Sequence, residues 1–96
     1  MKPSQLKMNK LEITMEKNDI ITQLHTILRV VKPQISESIG VEDHFRDDWG
    51  LDSLELVEFV ARIEQAFKVI IPDKDLTELF SLNATATYLH SKIVAV

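Results

Sequence analysis

Apolar positions Ile20, Ile21, Leu24, Ile27, Leu28 and Val31 recur at intervals of three and four, the period of an amphipathic helix beginning near Asp19. Asn18 or Asp19 can cap it, and Pro33 ends it. Leu54, Val57, Val60, Ala61, Ile63 and Phe67 predict a second helix, with Glu55, Glu58, Arg62 and Glu64 on its wet side. Val69 to Ile71 is a β-branched run with no partner strand, so it reads as an apolar plug between helices, terminated by Pro72. Asp73 caps a short third helix to about Phe80. Ser81 or Asn83 caps a fourth through Ala84, Tyr88, Leu89, Ile93 and Val94. The expected fold is all-α: a four-helix bundle with a long loop between helices 1 and 2 and a short third helix.

That loop, residues 33 to 52, has no sustained period and contains Pro33, Ser36, Ser38, Gly40 and Gly50. A connection of this length in a compact domain is usually functional or disordered, and Ile35, Ile39, Val41, Phe45, Trp49 and Leu51 offer anchors that favour a functional one. Residues 1 to 18 mix Lys, Asn, Glu and Met without a period and read as a flexible N-terminal extension, leaving residues 19 to 96 as the domain proper.

Composition narrows the function. The 96 residues, 45% apolar and 27% charged, suit one globular domain that buries roughly 65% of its extended surface, enough for a core but not for a large enclosed cavity. Without cysteine there is no disulfide, thiolate metal site or cysteine nucleophile, so any thiol chemistry must be imported. No apolar run is long enough for a membrane span or a secretory signal, and a cytoplasmic monomer is the expectation. Residues 42 to 78 hold 11 acids and 4 bases, whereas the rest of the chain holds 4 acids and 7 bases. An acidic centre argues against nucleic acid and for basic protein partners, the alternative being a merely solvated acidic face.

The stretch Trp49-Gly50-Leu51-Asp52-Ser53-Leu54-Glu55 marks the junction of loop and second helix. Gly50 permits a positive φ, and Asp52 with Glu55 three residues on makes a capping box. Ser53 then becomes the first helical residue, its hydroxyl exposed at the positive end of the helix dipole, where a phosphate ester would find a compatible field. Read by itself, Ser53 is more readily a tolerated first-turn residue.

Gly-x-Asp-Ser-Leu at a helix start, after a long loop and an upstream helix, resembles the acyl carrier protein family. Phe45 to Leu54 is similar to the run before that family's attachment serine, Glu55 to Val60 to its recognition helix, and Phe67 through Ile71-Pro72-Asp73 to its helix exit. The resemblance covers residues 19 to 94. It implies that a phosphopantetheinyl transferase attaches 4'-phosphopantetheine from coenzyme A to Ser53, flanked by Asp52 and Leu54, and that the thiol of this arm carries acyl groups as thioesters between enzymes. Ser53 would be an attachment point rather than an activated nucleophile, and the chain no enzyme.

The resemblance also assigns the second helix as a docking surface for basic patches on acyl-loading, synthase and acyltransferase enzymes, through Glu55, Leu56 and Glu58, with Arg62, Asp47 and Asp48 in the surrounding field. His25, His44 and His90 share no ligand spacing and read as surface or half-buried polar residues, and no metal is expected. Trp49 stands where an aliphatic residue is expected, Leu56 where the family is often polar, and Arg62 adds a positive charge to an acidic face. A fatty acid or polyketide carrier is the favoured reading. An amino-acyl (peptidyl-type) carrier, or an unmodified acidic adaptor that docks basic proteins, are the alternatives.

Overall fold

The computed structural model describes residues 16–94 and, among these, contains helices only. Helix α1 (Lys17–Val31) buries Ile20, Leu24 and Leu28, one residue per turn, with Ile21, Ile27 and Val31 on the flanks of that stripe. Its cap lies two residues before Asn18, the nearer of the expected caps: Glu16 occupies the N-cap position, makes no side-chain cap bond, and its carbonyl accepts the N–H groups of Asp19 and Ile20. Asp19 still serves the first turn, where an acid is favoured by the helix dipole. Of the stretch read as an N-terminal extension, residues 17 and 18 are therefore helical, and residues 1–15 lie outside the described residues.

The connection from Lys32 to Asp52 is stitched down by hydrogen bonds at both ends and in its middle. Ile35, Ile39, Phe45 and Leu51 are buried, and the ring of Phe45 meets Phe59 edge-on at 5.5 Å. The N–H of Phe45 donates to the Phe80 carbonyl at 2.8 Å, and the N–H of Asn83 donates to the Val41 carbonyl at 2.9 Å. Val41 thus anchors through its backbone while its side chain is exposed, unlike the apolar anchor expected of it. Arg29 on α1 adds its Nε to the Ile35 carbonyl. A backbone whose polar groups find partners this way can run over the core without a regular element.

Helix α2 (Ser53–Phe67) buries Phe59, Val60 and Ile63, with Leu56 and Phe67 half-buried beside them. Leu54, Val57 and Ala61, assigned to the core by periodicity, face solvent instead; Leu54 is 81% exposed and Val57 56%. The helix carries two apolar stripes a half-turn apart, and the one containing Phe59 faces α1. Lys68 closes the helix in the left-handed region, and Glu64, expected on the wet side, turns its carboxylate in to accept the Ile71 N–H at 2.8 Å. Of the supposed plug, only Ile71 is buried; Ile70 is 80% exposed.

The short third element, Asp73–Glu78, is a 3-10 helix capped at Pro72 rather than by Asp73. Leu79 behind it is buried, whereas Phe80 stays half exposed. Helix α3 (Leu82–Val94) starts at buried Ser81, whose Oγ accepts the Ala84 N–H at 3.0 Å. Its inner stripe is Leu82, Ala86 and Leu89, packed chiefly against α1.

Candidate functional site at the start of α2

Gly50 sits at φ +70, a backbone state strained for any side chain even though open space surrounds it. The turn brings Leu51 into the core, its N–H donating to the Phe45 carbonyl at 2.9 Å, and sets Asp52 in an extended conformation ahead of the helix. The capping box is complete: Asp52 Oδ1 accepts the Glu55 N–H at 2.8 Å, and Glu55 Oε1 accepts the Asp52 N–H at 3.0 Å. Lys32, at the end of α1, places its Nζ 3.2 Å from Glu55 Oε2, with both side chains largely shielded from water. Ser53 follows as the exposed first residue of α2, and its own amide and that of Leu54 have no carbonyl one turn back to bond. The residue is exposed, and the free amides of the first turn give its surroundings a positive field.

Ser53 stands on the rim of an open groove of about 700 Å³ between the start of α2, the connection and the 3-10 helix. Phe45, Leu51, Leu56, Leu76, Leu79 and Phe80 give the groove its apolar lining, and His44, Arg46 and Thr77 join Ser53 and Asp52 as its polar members. The imidazole of His44 stacks on Phe80, with ring centroids 5.7 Å apart. Its Nδ1 accepts the backbone N–H groups of Arg46 (3.2 Å) and Asp47 (3.1 Å), and the backbone N–H of His44 donates to Asp48 Oδ2 at 2.7 Å. His44, expected as a half-buried polar residue, therefore shapes the turn that carries Arg46. An exposed hydroxyl at a helix start, beside a slender apolar groove, suits a phosphate-linked flexible arm.

The expected site residues divide into three groups. Ser53, Asp52 and Leu56 share the groove, with Leu56 half-buried in its lining. Leu54 and Glu58 are exposed on the outer face of α2, where Arg62 Nε lies 3.0 Å from Glu58 Oε2. Glu55 is committed to the cap and to Lys32, and Asp48 to the His44 amide, which leaves Asp47 as a well-exposed loop acid whose Oδ2 lies 3.8 Å from His44 Nδ1. Sequence reading missed Arg46, His44, Leu76 and Phe80 as neighbours of Ser53. Periodicity could not find them, because they come from two segments without a repeat. Charge could have singled out Arg46, the one Lys or Arg between Pro33 and Ala61.

Two acid–base groups nearby are perturbed. The Trp49 indole N–H, donating to Asp43 Oδ2 at 3.0 Å, and the Gly40 N–H, donating to the same oxygen, hold the Asp43 carboxyl below its ordinary value. Burial, reinforced by a 2.5 Å hydrogen bond to Asp75, pushes the Tyr88 phenol upward, and this bond fastens the 3-10 helix to α3. Among the described residues no three His, Asp or Glu side chains group as metal ligands, and no helix is long and apolar enough to cross a membrane.

Comparison with known proteins points the same way as the geometry. A family profile described as phosphopantetheine attachment site matches residues 18–89. The mitochondrial acyl carrier protein of Neurospora crassa is 33% identical over 79 residues, 81% of this chain and 59% of that protein. The acyl carrier protein of Bdellovibrio bacteriovorus is 41% identical over 69 residues, 65% of this chain and 88% of that protein.

Proposed function

Because the chain belongs to the phosphopantetheine attachment-site family, the acyl carrier proteins, whose members hold a covalent 4'-phosphopantetheine and carry rather than catalyse, we propose that Ser53 is the attachment residue and that the protein shuttles acyl groups in fatty acid or polyketide synthesis. The observation that carries the assignment is the exposed Ser53 hydroxyl at the capped start of α2, with an apolar groove alongside. The arm supplies the thiol that this cysteine-free chain lacks, and acyl groups ride on it as thioesters.

The chain's own residues perform three tasks. Asp52 and Glu55 fix the helix start so that the Ser53 hydroxyl is presented to a transferase in one orientation. The groove beyond Leu56 offers apolar shelter to a guest too slender to need an enclosed cavity. The outer face of α2, with Leu54, Val57 and Glu58, offers partner enzymes a mixed apolar and acidic surface, suited to fast, weak and salt-sensitive contacts. A cytoplasmic location and a monomeric state complete the reading; since one relative is named as mitochondrial, cell fractionation tests the first.

Incubation with coenzyme A and a broad-specificity phosphopantetheinyl transferase, followed by intact mass measurement, tests the assignment. A gain of one phosphopantetheinyl group is expected, and none in Ser53→Ala with unchanged helical circular dichroism. Modification that persists in Ser53→Ala moves the attachment elsewhere. No gain in the unaltered chain removes the carrier reading altogether.

A further inference from the structure

Arg46 is the cation that the groove leaves uncommitted. It is exposed, lines the groove together with Ser53, and among the described residues its side chain makes no hydrogen bond or ion pair. This holds although acids surround it, because most of them serve other donors: Asp43 takes Gly40 and Trp49, Asp48 takes the His44 amide, and Asp52 takes the Glu55 amide. The turn is closed by the Gly50 N–H on the Arg46 carbonyl and the Leu51 N–H on the Phe45 carbonyl, both at 2.9 Å. Residue 46 is thereby held against residues 50 and 51, immediately before the helix start that presents Ser53.

Resting on the assignment of Ser53, we propose that Arg46 is a positioning residue for the arm: its guanidinium pairs with the phosphodiester on Ser53 Oγ and lays the arm toward the apolar wall of Leu56, Leu76 and Phe80. A phosphodiester joined there meets the repulsion of Asp47, Asp48 and Asp52, and the helix amides alone must oppose it. A planar guanidinium, without another partner among the described residues and able to bond two phosphate oxygens at once, supplies the missing counter-charge. The groove's composition agrees, since one positive group at the mouth of an apolar cleft fits a guest that is anionic at its root and apolar beyond it.

Arg46→Gln and Arg46→Lys chains, each modified to completion as judged by intact mass, are compared with the unaltered protein by thermal melting and by the phosphorus-31 resonance of the arm. Unmodified forms should melt together, because the Arg46 side chain bonds nothing among the described residues and the substitutions leave its backbone carbonyl in place. Modified Arg46→Gln should melt lower than the modified unaltered protein by about 1–5 °C at low salt, with a shifted phosphorus resonance, and high salt should erase both differences. Arg46→Lys should recover part of each, as a point charge without the fork.

Coincident melting and an unmoved phosphorus resonance in the modified forms would overturn the proposal. So would a difference confined to arms loaded with a carboxylated acyl group, which would assign Arg46 to the cargo, or an Arg46→Gln chain that the transferase cannot modify, which would assign it to that enzyme. A chain unmodified even with Arg46 in place signals instead that the Ser53 assignment has failed.

Discussion

At the scale of single residues, Glu55 changes role most between sequence and structure. Glu55 and Glu58, read as a like-charged pair three residues apart, should repel by roughly 0.2–0.5 kcal/mol. In the fold each has its own cation: Lys32 lies 3.2 Å from Glu55, and Arg62 lies 3.0 Å from Glu58. Glu55 is thus tied up in holding the helix start, and Glu58 is the more accessible acid. Asp52→Ala, which deletes one half of the capping box, should lower stability by about 1 kcal/mol in urea titration and slow the modification of Ser53. Glu55→Gln keeps an acceptor for the Asp52 amide and should cost less than Glu55→Ala, a difference the same titration resolves.

Asp43 gives the acid limb of stability a specific contributor. Its folded value is lowered from the ordinary 3.8, first by the Trp49 indole and then by the Gly40 amide, so the folded state prefers it ionised. The contribution is complete above about pH 4 and fades as the pH falls through the lowered value. Trp49→Phe removes the principal donor, and its stability deficit should be largest near neutrality and shrink toward strong acid. A deficit independent of pH would assign the loss to packing alone.

At the scale of elements, α2 shows what a periodic sequence does and does not determine. Its existence, its cap and its first residue were legible, because Gly50, Asp52, Ser53 and Glu55 act through neighbours three or fewer positions away. Its inner face was not. Leu54, Val57 and Ala61 repeat at helical spacing as well as Leu56, Phe59, Val60 and Ile63 do, and only the position of α1 decides between them. Glu64 was misplaced for a related reason: its carboxylate is drawn inward by the Ile71 amide, seven residues away on the exit from the helix. The outcome has a functional side, since an apolar stripe left in water beside Ser53 is available to partners.

Leu54→Ala should therefore change stability by less than about 0.5 kcal/mol, as expected of an exposed position, while weakening turnover by partner enzymes. Glu58→Lys should weaken that turnover more at low salt than at high salt. Equal losses at both would mean that the outer face does not steer.

At the scale of the whole molecule, the groove beside Ser53 is built from the connection, α2 and the 3-10 helix together. No window of sequence contains it, which is why its lining was illegible while the capped helix start at its rim was plain. The 3-10 helix is held to α3 by the Tyr88–Asp75 hydrogen bond, and it supplies Leu76 and Thr77 to the groove. Tyr88→Phe should speed amide exchange across residues 73–80 and cost about 1 kcal/mol. Because the folded phenol value is raised above its ordinary 10.0, the stability that the hydroxyl provides is present below pH 10 and lost as the solution becomes more alkaline. The gap between Tyr88→Phe and the unaltered protein should close in that direction, as alkaline denaturation will record.

Trp49 turns the connection into an optical instrument. It is the sole tryptophan in the sequence, half-buried, four positions before Ser53, and its ring nitrogen is bonded to a carboxylate whose other donor is the Gly40 amide. All indole emission from this chain therefore originates in the segment that leads into Ser53. Fluorescence intensity, lifetime and quencher access report on that segment directly, without a label and without a background from the rest of the fold.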